Sequence, residues 1–238
     1  MLRAAESTAF DKANQQFQAG DFAAAALAYE QILTTDGPRA AVYYNLGNCY
    51  QRLARYGHAI LAYERARLLS PRDQDLLANL ILARKAATAF EEPSPQPRMD
   101  AALHYFSRNE WSWVVVTSAL CLGGLSVLRG LVAMPRRELR HATLAVAAVA
   151  SLTLMAGAFA LYQRRGETAT GVVLTDKAAV LLSPFAEAES LGAPGVGRCV
   201  RLCGASGAFR YIEVPGTGLH GWLAAKDVAA IIPESAGL

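Results

Sequence analysis

Residues 43–71 read YYNLGNCYQRLARYGHAILAYERARLLSP, and their spacing decides how the first third of the chain is built. Small Gly47 and Ala59 stand where two helices would approach closely, and aromatic side chains fill the gap between turns. Pro71 ends the second helix, because it has no N–H to donate and its ring clashes with the preceding turn. The stretch predicts a helix pair, and the pair recurs. Ala13, Asn14, Phe22, Ala25, Tyr29 and Gly37 return 34 residues later as Gly47, Asn48, Tyr56, Ala59, Tyr63 and Pro71, and Asn45 returns as Asn79. A fixed period of this length predicts stacked helix pairs that bury their apolar faces only against neighbours. Residues 73–89, DQDLLANLILARKAATA, predict one more helix with Leu76, Leu77, Leu80 and Ile81 on one face, closing the stack.

Outward from there, EEPSPQP at 91–97 breaks helicity and reads as a stiff spacer. Two apolar runs follow, Trp111 to Met134 and Ala142 to Tyr162, joined by an arginine-rich link from Pro135 to His141. At about 1.5 Å per helical residue each run reaches across a hydrocarbon layer of about 30 Å. The pair predicts a membrane hairpin, which returns both ends of the chain to one side. Leu103 to Trp111, with Tyr105, Phe106, Trp111 and Trp113, suits the membrane surface. Ala119 with Gly123, Ala147 with Ser151, and Ala156 with Ala160 are small-residue pairs that would allow close helix contact. The apolar stretches hold no Asp, Glu or Lys, which argues against an ion or proton path.

Charge agrees with this layout. The net charge is +3, and residues 111–167 hold six arginines against Glu138 and Glu167, so the surplus lies at the membrane borders. It gives no reason to expect nucleic acid. The four cysteines and four histidines are scattered, so no metal or other cofactor is expected. MLRAAESTAFDKANQQ lacks the apolar core of a cleavable signal, so the first hydrophobic run would have to direct insertion, or the true start lies upstream.

From Thr170 the texture changes to short β runs: GVVL, AAVLLSP, RCVRLC, FRYIEVP and HGWLAAKDVAAI. Their spacing suits a small all-β barrel.

At Tyr43, Leu46, Gly47, Tyr50, Tyr56, Ala59, Tyr63, Ala66 and Pro71 the second copy resembles the tetratricopeptide repeat. The β region resembles bacterial SH3-type (SH3b) domains in its Val180–Pro184 segment, its Gly197–Val200 strand, its Phe209–Val214 strand and its closing Gly221, Trp222 and Leu223. The order of parts resembles the BatE-like branch of the bacterial aerotolerance (Bat) proteins. That resemblance implies an inner-membrane protein with periplasmic soluble modules. It also implies work beside von Willebrand A-domain Bat partners and an associated ATPase in envelope maintenance or stress tolerance.

The expected architecture is therefore multidomain. A tetratricopeptide module at 5–90 precedes a linker at 91–110, transmembrane helices at 111–134 and 142–162, and an SH3-like barrel at 168–233. Asn14, Tyr44, Asn45, Asn48, Gln51, Arg52 and Asn79 fall on or near the inner helices. In peptide-binding tetratricopeptide domains such asparagines bond an extended peptide backbone; bonding between the helices of the repeat is the other reading. Phe10, Asp75 and Asn79 stand where the carboxylate-gripping subset of the family carries basic residues, which argues against a C-terminal carboxylate as ligand. Phe209, Tyr211, His220 and Trp222 form a possible ligand patch for protein or peptidoglycan, against core packing for Tyr211 and Trp222. No cysteine has the histidine and orienting partner that a nucleophile needs, so the expectation is a non-enzymatic scaffold in contact with lipid and protein partners. The competing readings are a cytoplasm-facing adaptor and a wall hydrolase targeted by the barrel.

Overall fold

A computed structural model describes residues 2–89, 97–131 and 137–232. The described residues fall into two compact units, one joining the N-terminal helices to the C-terminal sheet, the other formed by the helices between them.

The first unit begins with five helices: α1 (Leu2–Gln18), α2 (Phe22–Asp36), α3 (Ala40–Arg52), α4 (Tyr56–Leu69) and α5 (Gln74–Ala86). Asp21 caps α2 by accepting from the Ala24 N–H at 3.0 Å, and Asp73 caps α5 by accepting from Leu76 N–H at 3.1 Å. Buried Tyr29 and Tyr63 fill the two helix pairs. Gly47 makes space for Tyr63, since a Cβ there would lie 2.5 Å from its ring, and Ala13 one period earlier is buried in the same cluster as Tyr29. Buried Glu64 on α4 is paired with Arg67 at 2.7 Å and with Arg84 of α5 at 2.5 Å, which ties the fifth helix to the second pair.

The period also governs the turns. Gly20, Ala54 and Thr88 all have positive φ (83°, 57° and 52°), and they are spaced by the same 34 residues. The N–H groups of Asp21, Arg55 and Ala89 return to the carbonyls of Gln16, Tyr50 and Arg84, a left-handed helix stop repeated three times. Glycine adopts this conformation freely; Ala54 and Thr88 hold it at a cost of about 1 kcal/mol each.

The C-terminal part of this unit is an antiparallel sheet of β1 (Thr170–Val173), β2 (Val180–Leu181), β3 (Ser190–Gly192), β4 (Cys199–Ser206), β5 (Phe209–Glu213), β6 (His220–Ala224) and β7 (Val228–Ala230). Strand order is β3-β2-β6-β5-β4-β1-β7. The edges β3 and β7 are not paired with each other, so the expected closed barrel is here an open sheet. Strand alternation puts Val180, Ile212 and Leu223 in a core with Val173, Val200 and Val228. Trp222 and Tyr211 fall on the opposite face, half-buried, so the expectation that they pack the core is corrected. The short β3, too polar to read as a strand, was outside the predicted runs.

The sheet does not stand apart from the helices. Val172 and Ile231 are buried in the same cluster as Ile60, Ala87 and Ala89. Gly57 at the start of α4 lies against the Leu174 backbone, where a Cβ would meet the carbonyl oxygen at 2.5 Å. Arg65 of α4 donates to the Ala230 carbonyl at 2.8 Å and the Ile231 carbonyl at 3.1 Å.

The second unit holds α6 (Pro97–Tyr105), α7 (Arg108–Leu131) and α8 (Arg137–Gln163). Ser107 and Glu110 form a reciprocal cap at the start of α7, with Glu110 accepting from Ser107 N–H at 2.7 Å and Ser107 accepting from Glu110 N–H at 3.2 Å. Both long helices are apolar enough to cross a membrane, with mean hydropathy 1.7 and 2.2. Apolar side chains on them stay open, Leu120 at 70% and Leu152 and Met155 at 67%. A core helix of a soluble protein would have these covered. The helices pack through Ser118, whose hydroxyl shares a hydrogen bond with Thr153 at 2.8 Å, and through Gly157, where a Cβ would meet Val115 at 2.8 Å. Of the small residues expected at the contact, Ala160 is buried, while Ala119, Gly123, Ser151 and Ala156 are exposed. Buried Arg164 ties the end of α8 to α6, donating to the carbonyls of Leu103 at 3.2 Å and Phe106 at 2.7 Å. Trp111 donates to the same Leu103 carbonyl at 3.0 Å. Met134 and the link to Arg136 lie outside the described residues, as does most of the expected proline spacer.

Candidate functional site

The four asparagines of the repeat sit in two copies of one arrangement. In the first, Asn14 Oδ1 on α1 accepts from the Tyr29 hydroxyl at 2.5 Å and from Asn45 Nδ2 on α3 at 3.1 Å. In the second, Asn48 Oδ1 accepts from the Tyr63 hydroxyl at 2.7 Å and from Asn79 Nδ2 on α5 at 3.1 Å. Each group thus joins three helices around a buried tyrosine. Burial pushes the Tyr29 phenol up to about 12, and it raises that of Tyr63 further. Both hydroxyls stay protonated, as donors must.

The bonding between helices uses only half of each amide. Among the described hydrogen bonds, Asn14 and Asn48 give their oxygens and Asn45 and Asn79 their nitrogens. Nδ2 of the first pair and Oδ1 of the second remain for another partner. All four residues are half-exposed. One donor and one acceptor per repeat is the complement of a peptide group in an extended chain. The helix-to-helix reading therefore accounts for the bonds seen, and the groove reading draws on the atoms left over.

The other expected groove residues are more committed. Tyr44 accepts from Asn79 Nδ2 through its hydroxyl at 2.9 Å, and Gln51 Oε1 accepts from the Tyr63 hydroxyl at 2.8 Å. Arg52, exposed, sits over the Phe22 ring at 5.3 Å from its centroid. Phe10 packs edge-on to Tyr29 with ring centroids 5.9 Å apart. Helical spacing adds Ala41, Ala78 and Leu82 to the same face. All three are exposed, and Leu82 stands one period after Asn48. Leu82 carries no groove signal as a leucine in an apolar helix; its place in the 34-residue phase is what marks it as a surface residue.

The second candidate lies on the sheet. Tyr211 and Trp222 are directly opposed across β5 and β6, with ring centroids 5.2 Å apart at 75°. His220 is 6.4 Å from Tyr211, and Phe209 projects from the same face of β5, two residues along. One side of the patch is bordered by the exposed Arg201–Glu213 pair at 2.8 Å. The four residues do share one face, half-exposed and aromatic, as the ligand reading requires.

Among the described residues no cluster of His, Cys, Asp and Glu is placed to hold a metal ion. The buried Cys49 thiol is pushed up to about 12 by its burial, which keeps it from acting as a thiolate. Gly57, Arg65 and Gly197, each of which touches the opposite side of the helix–sheet contact, were not read as contact residues from sequence. For Gly57 and Arg65 the available signal was departure from the first copy, where Ala23 and Gln31 stand one period before.

The chain matches no curated protein. Residues 40–73, which contain α3, α4 and the Tyr63-centred network's Asn48, match the tetratricopeptide repeat, a repeat whose folds serve as protein-interaction modules.

Proposed function

We propose that this protein is a non-catalytic scaffold held at the bacterial inner membrane, which captures an extended segment of a protein partner on its repeat groove. The observation that carries this reading is the pair of half-used asparagine amides, repeated at one period beside exposed Ala41, Ala78 and Leu82. The apolar α7 and α8 would form a double-pass anchor. Because the N-terminal helices and the C-terminal sheet share a core, both must lie on one side of the bilayer, and an even number of crossings provides that. The sheet, whose strand sequence is similar to SH3-type domains, would offer its Phe209, Tyr211, His220 and Trp222 face to a second partner, protein or peptidoglycan. In the Bat-like setting both surfaces would face the periplasm, and the partners would include von Willebrand A-domain proteins of the same system in envelope or oxidative-stress tolerance.

The test blocks the groove without touching the networks. Leu82→Arg and Ala41→Arg place bulk and charge on exposed positions, so the folded unit should survive. Partners recovered by crosslinking to the full-length protein in its native membrane should be lost from both variants and retained by Leu27→Arg on the outer side. Equal recovery from all three would remove the groove reading. Alkaline phosphatase fused after Leu238 separates the orientations: it should be active for exported modules and silent for the cytoplasm-facing adaptor.

A further inference from the structure

The two copies of the repeat differ on the side turned away from the asparagines. In the first copy that side carries Ala23, Leu27 and Gln31, and Leu27 is 68% exposed. One period later the same positions are Gly57, Leu61 and Arg65, and Leu61 is only 7% exposed. The sheet makes the difference. Gly57 admits the Val173–Leu174 backbone to within 2.7 Å of where a Cβ would stand. Arg65 holds the two carbonyls at the end of β7. From the sheet side, Gly197 (φ +76°) fits against Ile60 of α4 and against Ala87 and Ala89 just after α5, and a Cβ there would meet Ile60 Cδ1 at 2.4 Å and both alanine Cβ atoms at 3.3 Å.

Among the described residues the third copy of the repeat supplies α5 alone, and a terminal repeat helix has a neighbouring repeat on one side only, so another element packed against it can close the array further. We propose that the C-terminal sheet is that closing element: it docks on the outer side of the second repeat, and through Gly197 it fixes the position of α5. The docking leaves the asparagine side clear. It also makes Asn79, and with it the second asparagine–tyrosine network, depend on residues more than a hundred positions further along the chain. The sheet is then an integral part of the groove's construction and not a tethered module that swings free. This dependence holds whether or not the groove takes a partner, so its failure would leave the capture reading standing.

The test compares two glycine substitutions in the full-length protein in detergent micelles, read by amide hydrogen exchange. Gly197→Ala introduces both an unfavourable φ and a clash with the helices. Gly195→Ala introduces the unfavourable φ alone, since Gly195 (φ +86°) has nothing within 4 Å of a Cβ. Exchange in residues 74–86 should rise roughly tenfold in Gly197→Ala relative to Gly195→Ala, as expected for overpacking at a docking contact. Equal exchange of α5 in the two variants would overturn the proposal. Where Gly197→Ala does not accumulate, Arg65→Lys carries the same test: faster exchange in α5 supports the docking, and unchanged exchange overturns it.

Discussion

The two asparagine networks look alike, yet they should respond differently to the same truncation. A tyrosine hydroxyl has one proton to give. In the second network the Tyr63 hydroxyl has two acceptors within reach, Asn48 Oδ1 at 2.7 Å and Gln51 Oε1 at 2.8 Å. Asn48→Ala therefore lets the proton pass wholly to Gln51, while Asn79 Nδ2 keeps the Tyr44 hydroxyl at 2.9 Å. The loss is one to two ordinary hydrogen bonds with nothing stranded, about 1 kcal/mol. In the first network the residue one period before Gln51 is Phe17, which cannot accept. Asn14→Ala leaves the hydroxyl of Tyr29, a residue only 1% exposed, with no other acceptor among the described hydrogen bonds. A buried donor without a partner adds its full desolvation penalty, so this variant should lose about 2–3 kcal/mol. Urea unfolding of the full-length protein in micelles, followed by far-ultraviolet circular dichroism, measures both. Two controls sharpen the comparison. Tyr29→Phe removes the stranded donor along with the bond and should cost less than Asn14→Ala. Gln51→Leu in the Asn48→Ala background should bring the second network to the cost of the first. Equal losses for Asn14→Ala and Asn48→Ala, or the reverse order, would refute the reasoning.

His58 touches Arg55 at 3.0 Å, stacks near Tyr50, which bonds Glu30, and its pKa is lowered from 6.5 by burial first and Arg55 second. The folded state then binds fewer protons than the unfolded one, so stability present at neutral pH should fall as pH drops through 6.5, and His58→Gln should flatten that slope in urea titrations. Glu64→Gln sets two arginines against a neutral amide; because Arg67 and Arg84 are 32% and 24% exposed and can rehydrate, the loss should be about 2–3 kcal/mol by the same unfolding assay. Between the two long apolar helices, Ser118→Ala removes one interhelical hydroxyl bond and should loosen α7 against α8 by only about 0.6 kcal/mol, measured by a disulfide-trapping equilibrium between the two helices.

The helices were legible because their signal is local and repeated. Gly47 opposite Tyr63 is a packing rule written twice at one period, and the Asp21 and Asp73 caps mark helix starts directly. The long apolar runs are legible for a similar reason: no Asp, Glu or Lys interrupts them. What escaped reading is non-local. Nothing near Gly57 says that it meets the Val173–Leu174 backbone, and nothing near Gly197 says that it meets Ile60, because each contact joins residues more than a hundred positions apart; only the departure of the second copy from the first hints at the docking. The barrel expectation failed to close for a related reason. Strand existence follows from alternation, but whether β3 and β7 pair depends on curvature, and β7 is instead held by Arg65. Alternation also fixed Trp222 opposite to Leu223, so with Leu223 in the core the tryptophan had to face outward. At the groove, residue identity was legible and atom usage was not. The sequence offers four amides, and the fold alone decides which half of each is already engaged.

The account rests on α7 and α8 residing in lipid. Flotation of membranes from cells producing the full-length chain, after an alkaline carbonate wash, tests this most directly. The protein should rise with the membrane fraction and leave it only on addition of detergent. Recovery in the washed, detergent-free supernatant would contradict the anchored scaffold and would require a soluble partner to cover Leu120, Leu152 and Met155.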